Sequence, residues 1–233
     1  MGDIYTTFLI LLAYSFIGWS LEVVLKFIEN KRFINRGFLI GPICPIYGWG
    51  ALFIHIFLTK YQDKPLTLFC MAVLICSILE YLTSYFMEKL FHTRWWDYTD
   101  KKFNLNGRIC LETMIPFGLL SMLAIYILTP FFTSILNLLP EISIKLTAII
   151  LFVAFIADSI VSTNIIFSFK DTIKVLEKDA TEEISKKVRK IFSEKGILSK
   201  RLIKAFPEAL TPKEHLFKIQ KRINDKINSF KKD

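Results

Sequence analysis

Three ionisable residues interrupt apolar stretches of this 233-residue chain: Glu22, Glu80 and Asp158. A charged side chain at the centre of a bilayer costs on the order of 2.5 to 3.5 kcal/mol even on mild insertion scales, so an acid kept there faces a bundle interior, a partner or a water-filled cavity. Their neighbours at helical spacing are mostly small or polar. Gly18 and Lys26 flank Glu22, Ser77 and Ser84 flank Glu80, and Ala154 and Ser162 flank Asp158. Each acid therefore lies on a stripe suited to packing against other helices. Arg36 and Arg108 approach from two polar loops, and a guanidinium fork can pair with a carboxylate or hold an anionic ligand. Two readings follow: a cytoplasm-facing cavity of acids and arginines for a polar or anionic solute or an ion, or a closed ion-pair network that only fixes helix packing.

The loops that carry the arginines have similar ingredients. NLNGRICLETMIPFG (Asn104 to Gly118) runs from a polar turn into an apolar segment, with Asn106, Arg108, Cys110, Glu112 and Pro116 in quick succession. NRGFLIGPICPIYG (Asn35 to Gly48) has nearly the same order. Two such loops suggest a pair of elements facing one polar cavity. The match extends to a weak internal repeat, with Glu22 against Glu80, Asn35 against Asn106 and Cys44 against Cys110. Both halves would begin on the same side, so the repeat is parallel. Glu112 also has a simpler reading, as an acid at the positive N-terminus of a helix.

Composition supplies the elements that position these residues. More than half of the chain is apolar, and Phe alone accounts for 22 residues. Five segments are long enough to cross about 30 Å of hydrocarbon: Ile4 to Phe27, Phe38 to Leu58, Leu66 to Phe91, Thr113 to Leu136 and Ile144 to Phe169. The prolines at 42, 45, 116 and 130 interrupt or cap the second and fourth. The first segment lacks the basic start and cleavage site of a signal peptide and is read as a retained helix. The expected fold is an all-α polytopic membrane bundle over residues 1–169, followed by a basic helical tail over 170–233.

Charge sets the orientation. From Lys170 onward the chain has 18 Lys or Arg and 10 Asp or Glu, against 12 and 11 before it, so nearly all of the formal charge of +9 belongs to the tail. The first and third connections are richer in Lys and Arg than the second and fourth, which predicts an external N-terminus and a cytoplasmic tail. In that tail, apolar positions recur every three or four residues from Asp171 to Lys195. A capping box at Thr211 to Glu214 opens a second amphipathic stretch through Phe230. Such helices suit an anionic lipid surface, each other or a protein partner.

Several chemistries are not called for. The chain has no GxxxxGK[ST] phosphate loop, no HExxH zinc helix and no GxSxG elbow. It has no nucleic-acid module, and its four cysteines lack zinc-ribbon pairing. No cofactor, metal or nucleic acid is expected, and enzymatic activity is the lesser expectation. Trp95, Trp96, Asp97 and Tyr98 read as an interfacial aromatic belt.

GWSLE at 18–22, NRGFLIGPICPIYGWG at 35–50, WWDYTDKKFNLNGRICLE at 95–112 and the Asp158 helix together resemble a bacterial integral-membrane family of ABC-transporter permeases, type IV and CmpB-like. The resemblance covers about the first 170 residues. It implies a cell-membrane permease that relies on a separate ATPase subunit, and a homodimer or larger assembly to complete a path. Two other functions stay open beside it: a membrane enzyme acting on a lipid or isoprenoid substrate, and a scaffold whose tail recruits a cytoplasmic partner.

Overall fold

A computed structural model of the chain describes residues 3–31, 33–35, 37–91 and 94–178, with the side chains at 29, 30, 166 and 168–178 left aside. Arg36 lies outside the described residues, as do the predicted tail helices from residue 179 onward.

Among the described residues, four apolar stretches are helices long enough to cross a bilayer: Ile4–Ile28, Pro65–Phe91, Leu111–Asn137 and Glu141–Ile165. They belong to α1 (Ile4–Asn30), α3 (Pro65–Phe91), the run formed by α4 (Leu111–Leu123) and α5 (Thr129–Asn137), and α6 (Glu141–Lys178). The expected helical membrane bundle is therefore present, with an apolar core that also takes in polar residues and an outer surface rich in large apolar side chains. Large apolar side chains such as Ile150, Val153 and Phe152 face outward, whereas Ser15, Ser77, Glu80, Ser84, Ser121 and Ser162 are buried. Helices in lipid gain little by hiding apolar groups, and they pack through small and polar residues instead.

The second predicted crossing, Phe38 to Leu58, is helical only over α2 (Pro45–Leu58). Its 14 residues rise about 21 Å, short of a hydrocarbon core. Pro42 and Pro45 account for this, because each lacks an N–H and disfavours helix in the residue before it. The chain instead returns from α1 as an irregular segment. The Cys44 N–H meets the Ser15 carbonyl at 2.9 Å, so α2 starts beside the middle of α1. Pro45 takes the first helical position, where a missing N–H costs nothing.

The α3–α4 pair repeats this arrangement. An irregular loop with a two-residue antiparallel ladder, β1 (Asn104–Leu105) on β2 (Ile109–Cys110), leads into α4 beside the second half of α3. Cys44 and Cys110 are the N-caps of α2 and α4 in extended conformation. α1 and α2 are antiparallel, as are α3 and α4, and α6 runs in the direction of α1 and α3 with Phe8 against Phe152 at one end and Phe91 against Phe167 at the other. α6 continues without a break past residue 169 to Lys178.

Pro130, at the start of α5, follows a π turn over Ala124–Leu128. A proline cannot complete the preceding α ladder, and the extra residue of a π turn absorbs the mismatch. The turn also serves the packing. The Thr129 N–H bonds back to the Ala124 carbonyl, and the same carbonyl accepts the Tyr14 hydroxyl at 3.1 Å.

Candidate functional site

The two helix pairs line a partly open cavity of about 150 Å³ between them, and Glu22 and Glu80 are both on its wall. Glu22 comes from α1 and accepts the Tyr47 hydroxyl at 2.7 Å. Tyr47 can reach it because Gly18 leaves room: a Cβ there would overlap the Tyr47 ring. Phe117 packs edge-on against Tyr47, with ring centroids 5.9 Å apart.

Glu80 comes from α3, with 5% of its surface exposed. It accepts hydroxyls from Thr113, at 3.4 Å, and from Tyr98. Thr113 stands three residues after the cap Cys110, as Tyr47 stands three after Cys44, so each acid is met by the same position of the helix paired with it.

The loop after α3 closes one side of this cavity. Trp96 and Tyr98 both reach the wall. The Tyr98 N–H bonds to the Gly107 carbonyl at 2.8 Å, and the Trp96 ring N–H bonds to the Arg108 carbonyl at 2.9 Å, so the hairpin aims both rings inward. Asn106 and Gly107 make the turn in left-handed conformation, φ +53° and +66°, which asparagine and glycine tolerate best. A Cβ on Gly107 would also meet the Asp97 carboxylate and the Thr99 hydroxyl at 2.6 Å.

The other expected residues lie elsewhere. Asp158 accepts the backbone N–H groups of Ile40, at 2.9 Å, and Gly41, at 2.7 Å, and the Ser162 hydroxyl at 2.9 Å. It pins the irregular segment before α2 to α6. Arg108 is buried and pairs with Glu88 at 2.8 Å, hydrogen-bonds Ser84 at 3.3 Å, and stacks over Tyr81 and Tyr85 with its guanidinium carbon 5.6 and 5.5 Å from their centroids. Glu88 also receives Arg94 at 3.0 Å. Asn106 donates to the Tyr81 hydroxyl at 2.9 Å, on the wall of a separate polar recess that Arg108 also lines. Glu112 is at the surface, in an ion pair with Lys101 at 2.7 Å.

Neither Tyr47 nor Phe117 is assigned to the cavity by its residue type, and Trp96 and Tyr98, expected in an interfacial belt, line it. One signal for Tyr47 was present: its offset from Cys44 equals that of Thr113 from Cys110. Nothing comparable marks Phe117. The stripe Tyr81, Ser84, Tyr85 and Glu88, at spacings of three and four along α3, is the surface that receives Arg108.

No curated protein and no solved structure matches the chain. A family model described as "Putative ABC-transporter type IV" matches residues 9–163, which takes in most of α1, α2 to α5, both loops and the Asp158 turn of α6. With that match over most of its length, the chain belongs to this ABC-transporter type IV family of membrane proteins.

Proposed function

We propose that the chain is a permease-like transport subunit for a polar solute and that the cavity between the two helix pairs is part of its path. The observation that carries this reading is the meeting of Glu22 and Glu80 at one cavity. An acid that serves packing alone is saturated by its surroundings, as Asp158 is by two N–H groups and a hydroxyl. The partners of Glu80 among the described residues are hydroxyls, which can also turn toward a ligand.

The distribution of Lys and Arg supports an external N-terminus and a cytoplasmic tail in the cell membrane, with the two loops on the cytoplasmic side. Energy would come from a separate ATPase subunit, since the chain has no phosphate loop of its own. A second copy of the chain would widen a path that four long helices only partly enclose. Of the two arginines expected to favour an anionic solute, Arg108 is engaged with Glu88 in a recess apart from this cavity and Arg36 lies outside the described residues, so the solute is described here only as polar.

Glu80→Gln tests the reading. In vesicles carrying the chain with its ATPase subunit, uptake should fall by about tenfold or more, while the variant accumulates in the membrane and melts near the parent temperature. Unchanged uptake by a folded variant would remove Glu80 from the path and the reading with it.

A further inference from the structure

The wall of the cavity has a definite chemistry. Tyr14, Tyr47, Trp96, Tyr98 and Phe117 contribute aromatic rings from four parts of the chain: α1, α2, the loop after α3, and α4. The charged groups on it among the described residues are the Glu22 and Glu80 carboxylates. The remaining polar side-chain groups are hydroxyls, the Trp96 ring N–H, which is bonded to the Arg108 carbonyl, and the Cys76 thiol, which hydrogen-bonds Ser121 at 3.5 Å.

Each part of this wall disfavours some ligands. An anion would meet the buried Glu80 carboxylate, whose partners among the described residues are neutral hydroxyls. A strongly hydrated inorganic cation would lose its water to a wall that is largely hydrocarbon and aromatic, for few oxygen ligands in return. A compact organic cation loses less. Its alkyl groups fit against the rings, its diffuse charge is attracted to their faces, and a carboxylate held by neutral hydroxyls compensates the charge without a rigid coordination shell.

We infer that the cavity binds a small organic cation, a substituted ammonium group carried on a short apolar body. This deepens the transport reading and rests on it, because it names the class of solute that the proposed path accepts. Glu80 provides the countercharge from the α3–α4 pair. Tyr47 and Phe117, packed edge to face, add aromatic rings to the same cavity wall.

The test is calorimetric titration of the full chain in lipid nanodiscs with three probes: choline, its uncharged carbon isostere, and inorganic phosphate. Choline should bind at least about tenfold more tightly than its isostere, which isolates the positive charge from size and shape. Glu80→Gln should weaken choline by about tenfold or more and leave the isostere nearly unchanged. Phe117→Leu, which keeps an apolar side chain but removes a ring, should weaken choline more than the isostere. The comparison of probes on the parent chain stands even if a variant does not fold. If the isostere or phosphate binds as well as choline, and Glu80→Gln weakens that binding, the organic-cation assignment fails while the transport reading stands. If no probe binds, the assignment fails together with the cavity's role as a solute site.

Discussion

Asp158→Ala should destabilise the folded protein by about 3 to 6 kcal/mol, because it strips the acceptor from two backbone N–H groups at once. Ile40 and Gly41 donate to this carboxylate from a segment with no helix or strand partner of its own. Hydrogen bonds to an ionised group contribute about 1.5 to 3 kcal/mol each, and within a bilayer no bulk water replaces them. The irregular segment before α2 should then detach from α6. Asp158→Asn retains one acceptor oxygen, and about half of the loss is expected. Thermal unfolding in detergent measures the stability. Cys44, buried at the N-cap of α2, reports the detachment, since it should become reactive toward a water-soluble maleimide in the alanine variant. A melting temperature within a degree or two of the parent, with Cys44 still protected, would show that Asp158 does not hold this segment.

Gly48→Val should be at least as damaging, for a steric reason. α1 and α2 touch where Gly48 faces Leu11 and Ser15. Even a single added Cβ would overlap the Leu11 carbonyl oxygen and the Ser15 hydroxyl oxygen. The carbonyl belongs to helix backbone and cannot swing aside. The helices would have to separate, which breaks the Cys44 bond to the Ser15 carbonyl and draws Tyr47 away from Glu22. Overpacking alone costs about 1 to 3 kcal/mol, and the lost hydrogen bonds add to it, so little folded protein should accumulate. Gly50→Ala is the control. There the nearest atom to a new Cβ is the end of the Leu79 side chain at 3.5 Å, an ordinary contact, and the variant should fold and melt like the parent. Equal folded yields for the two variants, read by size-exclusion chromatography, would contradict the close approach of α1 and α2.

Much of this architecture is legible in the sequence because the bilayer penalises deviations so heavily. Glu22, Glu80 and Asp158 stand out as acids among apolar residues, and all three are in membrane helices. Each polar loop ends on a cysteine, Cys44 or Cys110, that stands at the start of a helix. Hydropathy does not distinguish a buried irregular run from a helix, so Phe38 to Leu58 reads as one span although its first part is not helical. The prolines at 42 and 45 were the sign of the break.

The roles of the acids were harder to separate. Asp158 binds main-chain N–H groups, which no residue type announces. Arg108 finds Glu88 near the end of α3, where an acid is inexpensive and attracts no notice. Tyr47 and Phe117 look like any other aromatic residues of an apolar helix until two antiparallel pairs bring them together.

A solute path through this bundle requires Glu22 and Glu80, from separate helix pairs, to share one cavity. Cross-linking tests this most directly. In a background with the four native cysteines replaced by serine, a residue suited to the cap positions of Cys44 and Cys110, Glu22→Cys and Glu80→Cys should be joined within one chain by a short bifunctional thiol reagent. The single-cysteine chains should each react with a small water-soluble thiol reagent. If both single variants react but the double variant gives no intramolecular link, the two carboxylates do not face a common cavity.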